Sequence, residues 1–358
     1  MSSEIGAEEQ EPGAVLENAA PLATRVGTVI MGRMDFTSVL LRLIGMELYK
    51  FRRRLMSRVL GTLAVALALL VPLSVGIELA VTQNTPASQF TPACQQPVAN
   101  PPAPGCSSLS TIAAASIKQA AISALSEPLR LPSSLELATT QGELNPGIML
   151  IIILAGSIAG GELSLGTVRL MFARGPWRGQ FLLAKYGAAL VCVLLGVLVM
   201  ALSGVLLGQL FNLDSGVRQS TSFMTADWVG HAIWYLLATM LNWFMYAVVA
   251  IFFAFLGRST VAGIAGALTW FFAEPIVSSI LTVAGNFSVG LFGAFLRALP
   301  DYLMGNNARA LQLNQAQYLF NTAGSSQSNI QALITLALYL VAFIGLTWWL
   351  NERRDVTN

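Results

Sequence analysis

Six long apolar stretches dominate this chain: roughly 59–80, 146–162, 182–209, 229–256, 260–283 and 330–350. Each is near or above the ~20 residues that carry a helix across a hydrocarbon layer about 30 Å thick, the second being the shortest. Backbone in hydrocarbon must satisfy its own hydrogen bonds, so runs of this length are helices. A membrane β-barrel would show alternating segments of about ten residues instead. The chain therefore reads as an all-α, polytopic membrane protein with six transmembrane helices, a six-helix domain over 58–350. Composition agrees: 11% of the 358 residues are charged, against about 25% in an ordinary soluble domain. A compact soluble fold would lack the polar surface to cover its core.

Orientation follows from where the cations fall. The outer segments hold only Lys118, Arg130, Arg218, Arg297 and Arg309; the other fifteen of the 20 Lys and Arg lie before the first span, in 162–185, at Arg258 or after the last span. The positive-inside rule then predicts that both termini are cytoplasmic, as an even number of spans requires. Residues 1–34, with Glu4, Glu8, Glu9, Glu11 and Glu17 and no periodicity, read as a disordered cytoplasmic tail. Residues 351–358 read as a second cytoplasmic tail.

Between tail and first span, residues 36–51 carry Phe36, Leu40, Leu43, Ile44, Leu48 and Phe51 at three- and four-residue steps. That is an amphipathic helix. It is too short to cross, so it is expected to lie flat at the interface with its apolar face among the acyl chains. The other reading makes it an extension of the first span. It ends in Lys50, Arg52, Arg53, Arg54 and Arg58, completing a unit over 35–57. This cluster reads first as a topology signal, and alternatively as a contact for anionic lipid.

The outer loop 81–145 contains Cys94 and Cys106 around eleven proline-rich residues. On the outer face such a pair can close a disulfide, two free thiols being the alternative. The outer segment 284–329 opens with FSVGLFGAFLRAL, apolar enough to dip into the outer leaflet. Labels added from outside are expected to reach 85–140 and 305–325. Gly156/Gly160 and Gly204/Gly208 have the small-xxx-small spacing that brings helix backbones close.

Catalytic chemistry finds no foothold. His231 is the only histidine, so HExxH is impossible, and three scattered cysteines make no CxxC. No GxSxG elbow and no GxxxxGK[ST] phosphate loop occurs. The expectation is no enzyme activity, no metal, no cofactor held by this chain and no nucleic-acid partner. The main intramembrane charge is Glu274, followed by Pro275, in WFFAEPIV. An acid there is costly unless paired or hydrated, and proline favours a kink or break. Glu274 and Pro275 mark either an outer gate or a helix that ends there.

The inner connection ELSLGTVRLMFARGPWRGQFLLAK, 162–185, is long for this chain. Ser164 is placed to cap a short helix through Ala173; Gly175-Pro176 stops it, and Pro176 starts the next. Glu162, Gly166, Thr167, Arg169, Arg174 and Arg178 would then form a docking element on the inner face, the alternative being that the arginines only set topology. At this point the chain resembles the membrane (permease) subunit of ABC transporters of the ABC-2 exporter class. The ELYKFRRR stretch Glu47–Arg54, the segment Gly166–Lys185 and the six-span layout carry the resemblance. The resemblance implies that the amphipathic helix is a connecting helix and that 162–181 couples to a separate cytoplasmic ATPase holding ATP and Mg. It also implies a second permease copy or paralogue, contact with membrane lipid, and a multi-pass place in a bacterial cell membrane. A secondary transporter and a non-transporting scaffold or immunity protein are the competing readings. The first lacks a visible inverted repeat; the second would need no coupling element.

Overall fold

The computed structural model of the chain describes residues 36–53, 55–90, 106–140, 145–164, 177–214 and 223–353, and among these it is all-α. Helix α1 (Phe36–Arg53) precedes α2 (Leu55–Asn84); α3 (Cys106–Ser126) and the short α4 (Ser133–Thr140) follow. Then come α5 (Pro146–Ser164), α6 (Arg178–Asp214), α7 (Ala226–Gly257) and α8 (Thr260–Phe287). Finally α9 (Gly290–Ala298), α10 (Met304–Phe320) and α11 (Asn329–Arg353) complete the chain. Six of these helices, α2, α5, α6, α7, α8 and α11, are long and apolar enough to cross a membrane. They match the six apolar stretches of the sequence.

The bundle is built around α5 and α7, the two spans with most of their length buried. Their core includes Ile152, Ala155, Ala159, Trp243, Met245 and Ile251. The remaining spans, α2 and α8 above all, present wide apolar faces outward, the surface that lipid covers in a membrane protein. Side-chain caps set the helix starts. Asn145 Oδ1 accepts from Gly147 N at 2.9 Å, and Gln180 Oε1 reaches back to Trp177 N at 3.2 Å, satisfying first-turn donors that the helix leaves open. Helices α7 and α8 are joined by two residues: Arg258 in the left-handed region (φ 50°) and Ser259, which caps α8 through Ala262 N at 3.0 Å.

The small-xxx-small pairs do bring helices together. A side chain at Gly160 would fall on the backbone of Thr260 and Ser259, and one at Gly156 on Ile264, so α5 meets α8 there. Gly204 and Gly208 seat the outer helix α4 through Ser134 and Ala138.

Three expectations change. First, part of the apolar side of α1 packs against protein, while Phe36 at its start stays exposed. Leu43 is buried, and Ile44 lies over Gly187 of α6, whose missing side chain makes the seat. Second, residues 305–320 are not an open outer loop. They form α10, which packs between α7 and α11 with Asn307, Ala308, Ala310, Leu311, Gln312 and Asn314 buried. Third, α8 neither ends nor breaks at Pro275 but runs on to Phe287. Proline deprives the preceding turn of one donor, a loss that packed membrane helices tolerate. The Cys94–Cys106 pairing involves Cys94, which lies outside the described residues, as does the acidic tail.

Candidate functional site

Four charged side chains meet where α1 crosses the ends of α5 and α6. Glu47 and Lys50 stand three residues apart on α1, Glu162 lies in the last turn of α5, and Lys185 lies two turns inside α6. Lys50 Nζ bonds Glu162 Oε1 at 2.7 Å and Glu47 Oε1 at 3.2 Å. Lys185 Nζ bonds Glu162 Oε2 at 2.9 Å and stands 3.6 Å from Glu47 Oε2. Signs therefore alternate around a closed square, and its net charge is zero. Lys185 is fully buried, and its ammonium also donates to the carbonyl of Ile158 at 2.9 Å and sits 4.6 Å from the centre of the Phe181 ring. Burying a lone ammonium is prohibitive, and it is tolerated here because two of its donors are bonded and a second carboxylate, that of Glu47, stands within ion-pair distance. At Lys50, outside the spans, burial pulls the pKa down, but the hydrogen bond it donates to Glu162 and the charges of both glutamates outweigh it and hold it above the ordinary lysine value.

Sequence reasoning listed Glu162 and Lys50 but assigned them to different roles. It treated Lys185 as a topology cation and Glu47 as part of a motif. The available signal was the i, i+3 pair Glu47/Lys50 on an otherwise apolar face, together with a lysine inside an apolar run. Neither says which residues meet. That depends on α1 folding back over α6.

Arg178 opens α6, and its guanidinium donates to the Glu352 carbonyl at 2.8 Å, while Asn351 Nδ2 returns a bond to the Arg178 carbonyl at 3.0 Å. It thus closes the C-terminal end of α11, where helix carbonyls lack internal partners. Sequence reading sent this arginine toward a partner. Its first role in the fold is this cap. Gly166, Thr167, Arg169 and Arg174, and Arg54 of the basic cluster, lie outside the described residues. Arg52 and Arg53 are exposed at the end of α1.

Glu274 occupies a second polar site, midway along α8. It is buried on α8 yet receives α10: Oε1 accepts from Gly305 N at 2.6 Å and Oε2 accepts from Trp270 Nε1 at 3.0 Å. Asn306 adds a bond to Ser278 Oγ at 2.9 Å, so the start of α10 is held to α8 twice. A side chain at Gly305 would meet the Tyr246 hydroxyl and Glu274 itself, which explains glycine there. The carboxylate has no cationic partner among the described residues. It is compensated instead by the N–H groups and dipole at the helix start. Deeper along α10, Gln312 Nε2 bonds Thr239 Oγ1 at 2.8 Å, and Tyr235 Oη lies 2.7 Å from Thr139 Oγ1. His231 stacks on Tyr318 with ring centres 4.4 Å apart, bonds Gln315 at 3.2 Å and has Asp227 Oδ1 3.9 Å from its Nε2.

A family model described as "Protein of unknown function (DUF2705)" matches residues 143–357. The chain belongs to the DUF2705 family. The match spans more than half of the chain and takes in Glu162, Lys185 and Glu274; α1, with Glu47 and Lys50, lies before it. The chain is also similar to "Uncharacterized protein YhcI" of Bacillus subtilis (strain 168), 24% identical over 221 residues, which are 59% of this chain and 65% of the relative. The chain thus covers a little under two thirds of that relative's length. With its six apolar helices, this DUF2705 member is a polytopic membrane protein.

Proposed function

We propose that this chain is the membrane subunit of an ATP-driven exporter of the ABC-2 class, working with a separate cytoplasmic ATPase and a second membrane subunit. One observation carries the reading: the buried square of Glu47, Lys50, Glu162 and Lys185. Glu162 stands at the end of the helix entering the inner connection, and Lys185 near the start of the helix leaving it. Lys50 and Glu47 bind both to α1. A push delivered at the connection therefore moves α1, α5 and α6 together, which is what coupling to an external motor requires. The chain hydrolyses nothing in this scheme; ATP and Mg belong to the partner.

The test is co-purification in mild detergent. The expected result is an ATPase subunit in about one-to-one ratio with this chain, with Mg-ATP hydrolysis lowered in K185M while the subunits still associate. Transport by the isolated chain in liposomes, driven by an ion gradient alone, would overturn the proposal. It would favour a secondary transporter built on the intramembrane acid Glu274.

A further inference from the structure

The basic cluster at the end of α1 divides into two parts that face different ways. Lys50 turns inward, and its ammonium is engaged by Glu162 and Glu47. Arg52 and Arg53 are exposed, and Arg58 in the first turns of α2 is exposed beside them, donating Nε–H to the carbonyl of Arg52 at 3.2 Å. None of these three arginines has an ion-pair partner among the described residues. Arg53 lies 5.3 Å from the centre of the Tyr49 ring, a contact that orients the guanidinium without using its N–H donors. A topology signal needs only charge near a span; here three exposed arginines stand at the junction of α1 and α2, one of them bonded to the backbone of another.

That corner borders apolar surface. Tyr49 on α1 and Leu55 and Val59 on α2 are exposed close to it in the chain, and Leu41 and Met46 are exposed further back along α1. The outward face continues up α2 through Leu63, Leu69, Leu70, Leu73, Ile77 and Val81. The other side of α1 is already taken by α6. The surface left over is an apolar stripe ending in fixed cations at the inner end of a lipid-facing span.

We infer that Arg52, Arg53 and Arg58 form a binding site for the phosphate headgroup of an anionic phospholipid of the inner leaflet, with its acyl chains along the exposed face of α2. The stripe favours lipid over a soluble protein, because a polar partner surface would leave Leu55 and Val59 unmatched. Guanidinium groups suit the ligand, since they donate paired N–H bonds to phosphate oxygens. The site depends on α1 being latched and not on the identity of any ATPase.

The experiment is native mass spectrometry of the detergent-purified full chain with phosphatidylglycerol and phosphatidylcholine in competition. Wild type is expected to retain phosphatidylglycerol preferentially, and the preference should fall with added salt. R52Q/R53Q, which leaves Lys50, Arg54 and Arg58 to hold topology, is expected to lose roughly tenfold or more of it, since each basic residue near an anionic surface contributes about fivefold. R52K/R53K, which keeps the charge but not the paired N–H bonds, should fall between wild type and R52Q/R53Q. No preference in wild type overturns the site whether or not the variants fold. Equal preference in R52Q/R53Q overturns it as well. So does loss of a co-purifying protein from R52Q/R53Q with lipid preference unchanged, which would make the corner a protein contact.

Discussion

At the residue scale, the informative side chains are those that an apolar bundle should not contain. Lys185 is fully buried and survives because Glu162, Glu47 and the Ile158 carbonyl surround it. Removing one member of such a group leaves an uncompensated buried charge, typically a loss of about 3–5 kcal/mol. K185M is therefore expected to lower the unfolding midpoint in detergent sharply. K185M combined with Glu162→Gln should cost less than the two changes summed, since they share one interaction. Strict additivity in that double-mutant cycle would mean the square carries no coupling energy. The pH dependence has a definite sign at Lys50. Its pKa is raised in the folded protein, so its contribution is fully present below the ordinary lysine value and fades only as pH rises through the folded one. The latch of α1 on the Lys50 side should hold through neutral pH and weaken in strong alkali, measured as protease sensitivity of α1. The sequence displayed all four charges but not their meeting. Nothing in the spacing of Glu47, Glu162 and Lys185 says they share a site, because more than a hundred residues separate the first from the second.

At the element scale, helix contacts discriminate between glycines that look alike in sequence. A side chain at Gly160 meets the Thr260 backbone, which cannot step aside, whereas one at Gly187 meets the outer atoms of the Ile44 side chain, Cδ1 and Cγ1, which can rotate away. Gly160→Val is expected to destabilise the bundle by about 1–3 kcal/mol or more, as overpacking does, while Gly187→Ala should cost less, because Ile44 can shift to make room. A thermal-unfolding comparison of the two checks this, and equal effects would contradict the α5–α8 contact. Helix α10 offers a second test. Its start is pinned by Glu274, so Glu274→Ala should loosen it and speed labelling of a cysteine placed at buried Leu311. Glu274→Gln, which keeps a carbonyl acceptor for Gly305 N, should do so less. Unchanged labelling in Glu274→Ala would mean that packing against α7 and α11 holds α10 without the carboxylate. Sequence reading recognised that this outer segment was unusual yet took 305–325 for an accessible loop. Asn306, Asn307, Gln312 and Asn314 look like loop residues. They are compatible with burial only because Ser278, Thr239 and their neighbours supply partners.

At the scale of the whole molecule, topology and packing are separate questions. With both termini inside, a membrane-impermeant thiol reagent is expected to reach a cysteine at exposed Thr322 in intact cells and not one at exposed Arg52. Labelling at Arg52 from outside would invert the orientation. The number of spans and the all-α class were legible in the sequence, since hydrocarbon permits few structures and long apolar runs select one of them. So was the amphipathic character of α1, because a 3.6-residue period is local. What covers its apolar face was not legible: period alone cannot distinguish lipid from protein, and a seat at Gly187 exists only once α6 is in place. The sequence by itself determined which segments leave water, because transfer free energy is a property of composition along a short stretch. The tertiary structure alone decided which buried charges pair, which face of α1 remains open and that α10 folds back into the bundle. Those depend on distances between residues far apart in the chain, and a linear pattern contains no such distances.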